Sequence, residues 1–251
     1  VVLTWEGPEK EAIGVWRQLL CRRGYIQRWL NSCKGDVDKA ARRLIAHMMW
    51  RLQYGLQGID QEDWSVHDAR GEMYVSGLDK EGRASMTWRL GRHTPKNHTP
   101  KVAVRFLVCN MERAWAVSPL ADHMNVIIDC EGMKLSCYDH AIVSHAIEIL
   151  SENYPDNLKV VIAFPVNWVL SSLLQVFTPL LSKDTVAKGK LLQKHQIDEG
   201  LRSMFEHDQI EQRFGGGLDV STAAHRRIEH EDAEVARRVG EEKVQAGRKM
   251  K

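Results

Sequence analysis

Between residues 36 and 52 apolar side chains recur at three- and four-residue steps: Val37, Ala40, Ala41, Leu44, Ile45, Met48, Met49 and Leu52. Asp36 follows Gly35 where an N-cap belongs, so the pattern predicts one strongly amphipathic helix with a wide apolar face. Upstream, Ile13, Trp16, Leu19 and Leu20, then Ile26, Trp29 and Leu30, keep the same period in shorter runs interrupted near Gly24. Residues 1–60 are therefore expected to form a small helical lobe.

After residue 60 the period changes. Residues 73–75 and 84–90 flank the turn-rich run Gly77-Leu78-Asp79-Lys80-Glu81-Gly82-Arg83, which reads as a hairpin. Residues 102–109 are apolar enough for a buried strand, but Thr99 and Pro100 supply an N-cap hydroxyl and a proline at the first helical position. A helix is expected there, with Val104, Leu107, Val108, Met111 and Trp115 keeping its period. Two short β-branched runs, residues 126–130 and 160–164, predict buried strands. Helices are expected over 138–152 and, after Pro165, over 167–181. The alternation indicates an α/β fold with right-handed crossovers. From residue 218 to 251 the chain is polar and alternates in charge, with a sparse stripe of Ile228, Val235 and Val239; it reads as a solvated helix or as disorder.

Composition narrows the functional classes. Thirty-five Lys and Arg stand against 33 Asp and Glu, so no long basic stripe for nucleic acid is suggested and nucleic acid is not an expected partner. The five cysteines (Cys21, Cys33, Cys109, Cys130 and Cys137) form no CxxC pair and read as small buried groups in a reducing compartment. No stretch approaches the roughly 18 apolar residues of a membrane span, and the opening VVLTWEGPEKE lacks a basic and then apolar leader. A soluble, cytoplasmic, monomeric protein is expected, although a start without Met suggests a missing N-terminal segment.

Catalytic motifs are absent from the sequence: there is no GxSxG elbow, HExxH or Walker loop. Phe214-Gly215-Gly216-Gly217 neither follows an expected strand nor opens an expected helix. His140 and His145 are five apart and share a helix face poorly, while His93 and His98 read as solvated loop residues. No metal, no cofactor and no covalent chemistry is expected. The informative segment is residues 165–181, where Val166, Trp168, Val169, Leu170, Leu173, Leu174, Val176, Phe177, Leu180 and Leu181 make a helix apolar on most of its circumference. Such a helix is either a central core helix or a cover over something apolar that is not protein. Periodicity does not separate the two.

The residues themselves carry a resemblance. Arg28-Trp29-Leu30, Lys34 to Ala41 and His47-Met48-Met49-Trp50-Arg51 are similar to the helical-lobe signature of the CRAL-TRIO lipid-binding family, whose members include secretory phosphatidylinositol/phosphatidylcholine transfer proteins. Further fragments follow in the family's order: the Gly77 to Arg83 hairpin, Ile127 to Gly132, Asn153-Tyr154-Pro155-Asp156, Phe164-Pro165, Thr178-Pro179-Leu180-Leu181, Thr185-Val186-Ala187-Lys188 and Phe214-Gly215-Gly216. The resemblance implies a helical lobe (1–60), a lipid-binding α/β domain (61–217) whose mixed or parallel sheet floors a hydrophobic pocket, and a charged tail (218–251).

It also implies a function: holding one lipid behind a mobile gate helix near residues 167–181 and exchanging it during transient contact with a membrane. The pocket and gate would be lined by Met86, Trp88, Phe106, Met124, Val126, Ile128, Phe164, Leu170, Leu173, Leu174, Phe177 and Leu181. By alignment the inositol-lipid headgroup residues fall on Lys34, Asp156, Thr185 and Lys188. Cys33 stands where the family has an arginine, and Asp156 is one methylene shorter than the family's acid. Met86, Met124 and Val126 replace the polar residues that hold choline lipids, so phosphatidylcholine is not expected. A sterol, isoprenoid, tocopherol-like or porphyrin cargo, or a regulatory module that docks on membranes without moving lipid, remain alternatives.

Overall fold

The computed structural model describes residues 16–220, apart from 18, 23 and 96–98. The first lobe holds α1 (Tyr25–Ser32) and α2 (Val37–Tyr54). Asp36 caps α2 as expected, its carboxylate accepting from the Lys39 amide at 2.9 Å, and Gly55 ends it in the left-handed conformation. Trp29, Cys33, Ala40 and Met48 pack with Leu19 into a small core. Less of α2 buries than its pattern predicts: Val37, Ile45 and Met49 stay exposed. Cys21 is also exposed, against the expectation that all the cysteines are internal, whereas Cys33, Cys109 and Cys130 are buried.

The next stretch has no strong sequence signal and is structured nonetheless. A turn of 3-10 helix (Ile59–Gln61) and the short α3 (Ser65–Arg70) lie against α4 (Pro100–Val117). Leu56, Ile59 and Trp64 join the core that α4 makes with the sheet, and the Trp64 indole donates to the Ile59 carbonyl at 2.7 Å. The N-terminus of α4 is capped by Thr99 with Pro100 in its first turn, as the sequence predicts.

Five strands, β1 (Met73–Leu78), β2 (Ala84–Arg89), β3 (Met124–Asp129), β4 (Leu158–Phe164) and β5 (Gly189–Leu191), lie side by side in chain order. β1 and β2 are the antiparallel hairpin, and the remaining pairings are parallel. Between the parallel strands run α4, α5 (His140–Asn153), and then α6 (Trp168–Phe177) with α7 (Lys183–Ala187). When every parallel crossover steps the same way across a sheet and has the same hand, all the connecting helices fall on one face. The other face is then open to whatever follows β5.

That second face is covered by the C-terminal segment, including α8 (Ile197–Arg202). Leu201, Phe205 and Ile210 pack on Ile127, Val160, Ile162 and Phe164. Phe214-Gly215-Gly216 is structural here: a side chain on Gly216 would lie 2.0 Å from the Ile210 carbonyl oxygen, and Gly215 sits at φ 85°. Beneath the segment, Glu211 accepts from the Tyr74 hydroxyl at 2.9 Å, the Thr87 hydroxyl at 3.0 Å and Arg213 Nε at 2.5 Å. Arg213 and Arg89 both reach Asp129.

One expected helix is shorter than its pattern. The apolar run of 167–181 is helical only to Phe177, followed by a 3-10 turn (Thr178–Leu180) and the separate α7. Pro179 has no amide to donate, so the α-helical ladder cannot continue through it. The helix expected over 138–152 begins at His140 because Asp139 caps it, accepting from the Ala141 and Ile142 amides. The stripe expected at 228–239 lies outside the described residues, as does His98. His93 is not a solvated loop residue: it is buried and bonded to Glu72 at 2.6 Å.

Candidate functional site

Side chains two apart on a strand share a face, and strand register decides which of the expected pocket residues meet. Met86 pairs with Val126 and Trp88 with Ile128 across β2 and β3; Val126 and Ile128 pair with Val161 and Ala163 across to β4. Met86, Trp88, Met124, Val126 and Ile128 thus lie on the helix-covered face. Phe164 does not. It pairs with Asp129, one residue out of phase, and is buried on the opposite face with its ring 4.8 Å from that of Phe214. Its expected place in the pocket is corrected by this parity.

The helix-covered face has three zones. At one end α4 and α5 bury Met73, Val75, Met86 and Met124. Phe106 belongs to this packed zone, on the side of α4 that meets Trp64 and His67, at ring distances of 5.2 and 4.9 Å, which makes it a core residue and not a pocket wall. At the other end α6 drives Val169, Leu170 and Leu173 against Cys130, Met133 and Ala163, with Leu174 partly buried beside them. Between these zones Trp88, Val126, Ile128 and Val161 are only half-buried, and the Trp88 indole N–H is buried without a hydrogen-bond partner.

Asn167 caps α6 by accepting from the Leu170 amide at 2.9 Å. The outer side of α6 faces away from protein: Trp168 is 69% exposed and Val176 52%. Leu181 is half-buried beyond it, and the side chain of Phe177 lies outside the described part. The helix is therefore clamped on one side and bare on the other, which is neither of the two pure cases that its composition allows.

The four expected headgroup residues come from three elements. Asp156, in the turn from α5 to β4 at φ 47°, accepts from Lys188 Nζ at 2.8 Å and from Asn31 Nδ2 at 3.0 Å. Burial alone would raise its pKa; the hydrogen bonds from Lys188 and Asn31 outweigh that and hold it below the ordinary carboxylate range. Thr185 is one residue-turn away on α7, its hydroxyl 2.8 Å from that of Ser182, which caps that helix. Lys34 projects from the exposed turn between α1 and α2, its amide donating to the carbonyl of Asn31 in the last turn of α1. Asp156 and Lys188 are thus joined directly, the Lys188 amide donates to the Thr185 carbonyl at 3.2 Å, and Lys34 makes no contact with any of the three.

Lys188 also lines a polar cleft of about 370 Å³ beside β4 and β5. Lys80, Arg83, Lys159 and Lys190 share its walls with Asp79 and Glu81, so the cleft is basic on balance and suited to an anionic group. Sequence reasoning missed Asn31, His123, Lys159 and Lys190. Asn31 and His123, 3.9 Å from Asp156, had no signal. Among the described residues no helix is long and apolar enough to cross a membrane.

Comparison with known proteins agrees with this architecture. The model of the CRAL/TRIO domain matches residues 68–216, more than half of the chain. A CRAL-TRIO domain-containing protein of Schizosaccharomyces pombe is 24% identical over 203 residues, covering 80% of this chain and 19% of that protein. The phosphatidylinositol transfer protein PDR17 of Saccharomyces cerevisiae is 23% identical over 218 residues, covering 81% of this chain and 60% of its own length. This chain therefore spans less than two thirds of either curated relative. The crystal structure of Sfh5 superposes with a TM-score of 0.63 at 14% identity, covering 78% of this chain and 71% of that one, a likeness of fold. With the mixed sheet, the helical lobe and the ordered signatures in place, the chain belongs to the CRAL/TRIO domain family.

Proposed function

We propose that this chain binds a single phospholipid and exchanges it at membranes, with phosphatidylinositol as the best-fitting cargo. The observation that carries this reading is the Asp156–Lys188 pair at the edge of a basic cleft, on the same domain as a half-buried apolar floor of Trp88, Val126, Ile128 and Val161. A phosphodiester would take the Lys188 ammonium and the Thr185 hydroxyl, with Lys34 closing from the α1–α2 turn. Asp156 would hold Lys188 in place or accept a sugar hydroxyl. The similarity to a phosphatidylinositol transfer protein supports this choice.

The acyl chains would lie over the floor and under α6. Covering them removes about 0.8 kcal/mol of unfavourable hydration per methylene, so cargo stays bound in water and leaves only where a bilayer receives it. Leu170, Leu173, Leu174 and Leu181 supply the inner side of the moving cover, and the bare Trp168 and Val176 its outer side, which meets the membrane. Opening of that cover sets the exchange rate.

The test is lipid extraction from the protein purified from cells, followed by liposome-to-liposome transfer. One stoichiometric inositol phospholipid is expected, and Lys188→Ala should lower its transfer at least tenfold with the fold intact by circular dichroism. Co-purification of an uncharged cargo whose transfer ignores Lys188→Ala would replace phosphatidylinositol with a hydrophobic ligand such as a sterol, isoprenoid, tocopherol or porphyrin. Membrane binding without any transfer would identify a docking module.

A further inference from the structure

Where α1 and α2 meet α4 and the loop into β4, the chain lines a small, partly open cavity of about 20 Å³. Three guanidinium groups line it, from Arg22, Arg28 and Arg51, against one carboxylate, that of Glu112. Glu112 is already engaged: Arg51 grips both of its oxygens, at 2.9 and 2.8 Å, and the Tyr154 hydroxyl donates to it at 2.8 Å. Burial would raise its pKa, but Arg51 and Tyr154 hold it at about 2, so it is charged and fully answered.

Arg22 and Arg28 have no carboxylate in contact: Glu112 acts on Arg22, and Asp156 and Asp122 on Arg28, only through space. Arg28 is 6% exposed, donates to the Asp122 main-chain carbonyl at 2.6 Å and lies 4.3 Å from the Trp115 ring centre. Among the described residues neither arginine forms an ion pair with a carboxylate. The other titratable groups facing the cavity add no negative charge. His47 bonds through its two ring nitrogens to Asn153 and Tyr25, and burial lowers its pKa to about 4; Tyr25 is raised to about 12. A further donor lines the same space: Asn157, 4% exposed, has its side-chain N–H₂ buried with no acceptor.

Donors therefore outnumber acceptors around this space, and a buried cation without a contacting counter-charge is costly. One water needs about 10–15 Å³ of such space, so a single water-sized or halide-sized particle fits. Water would leave Arg22 and Arg28 with no anion in contact. We propose that this cavity binds a small inorganic anion of the halide class, held by Arg22, Arg28 and the Asn157 amide. The ion would join the helical lobe, which supplies the arginines, to the sheet domain, which supplies Asn157. This site is separate from the Asp156–Lys188 cleft and does not depend on which lipid the protein carries.

Bromide tests it directly. The full chain crystallised in bromide should show an anomalous peak in the cavity, within hydrogen-bonding reach of Arg22, Arg28 or Asn157. In solution, replacing gluconate, which is too large to enter, by chloride at constant ionic strength should raise the melting temperature saturably by about 2–4 °C. Arg22→Gln should abolish that rise and be no less stable than the parent chain in gluconate, because it removes a charge with no carboxylate in contact. An empty or water-filled cavity in the bromide map, or a chloride response that survives Arg22→Gln, would overturn the proposal. If Arg22→Gln does not fold, the bromide map of the unaltered chain decides alone.

Discussion

The two faces of the sheet are closed by different physics. On the far face the C-terminal segment is fastened by directional bonds: Glu211 accepts from Tyr74, Thr87 and Arg213, and Arg213 and Arg89 share Asp129. Such a network is satisfied only in one geometry, so it fixes the segment against the sheet. On the helix-covered face α6 is held mainly by apolar contact, through Val169, Leu170 and Leu173, beside a hydrogen bond from its cap Asn167 to the Cys130 carbonyl at 3.3 Å, and its outer side is bare. Apolar attraction has no preferred direction, and a helix held that way can slide or lift at modest cost. The face closed by the C-terminal segment and the face proposed to open are thus distinguished by their chemistry.

The comparison can be broken or sharpened in three ways. The largest effect is expected from Glu211→Ala, which strands the groups that now donate to it; removing one partner of a buried ionic network costs about 3–5 kcal/mol, measurable by urea denaturation. A cost below 1 kcal/mol would mean that the far face is held by its apolar core instead. Next comes acid. Burial lowers the His47 pKa from 6.5 to about 4, so the folded chain resists a proton that the unfolded chain accepts. Stability is therefore full above about pH 6.5 and falls progressively towards pH 4, by roughly 3 kcal/mol at about 1.4 kcal/mol per unit. Denaturation midpoints across that window should decline in the parent chain and flatten in His47→Gln, locating the acid-sensitive seam on the helical side.

Leu173→Ala should show the smallest loss of stability, about 2 kcal/mol, at the low end for a core leucine because α6 is packed on one side only. It should nonetheless speed lipid exchange between liposomes severalfold, whereas Glu211→Ala should not at temperatures where both variants are folded. Equal exchange rates for the two would remove the distinction between the faces.

Much of the architecture was legible because it rests on local rules. Asp36 and Thr99 each cap the helix that their spacing marks, and the β-branched runs are the central strands. The helical lobe, the hairpin and the order of the signatures likewise led to the family before any contact was known. The candidate site was legible only in part. Lys188 and Asp156 meet as the resemblance implies, yet Asn31 and His123, which stand beside them, come from distant segments with no local pattern. Phe164 and Phe106 look like pocket residues in a list of large apolar side chains; strand parity and the side of α4 that meets Trp64 place both in packed cores.

What the chain's own sequence determined is the set of elements and their apolar faces, since propensity, capping and periodicity act over a few residues. Which face each side chain meets, where the Lys188 ammonium finds its carboxylate, and that Arg22 and Arg28 line one cavity were settled only by the tertiary fold. Those outcomes depend on register and on segments from about thirty to more than a hundred residues apart, and no short-range rule carries that information.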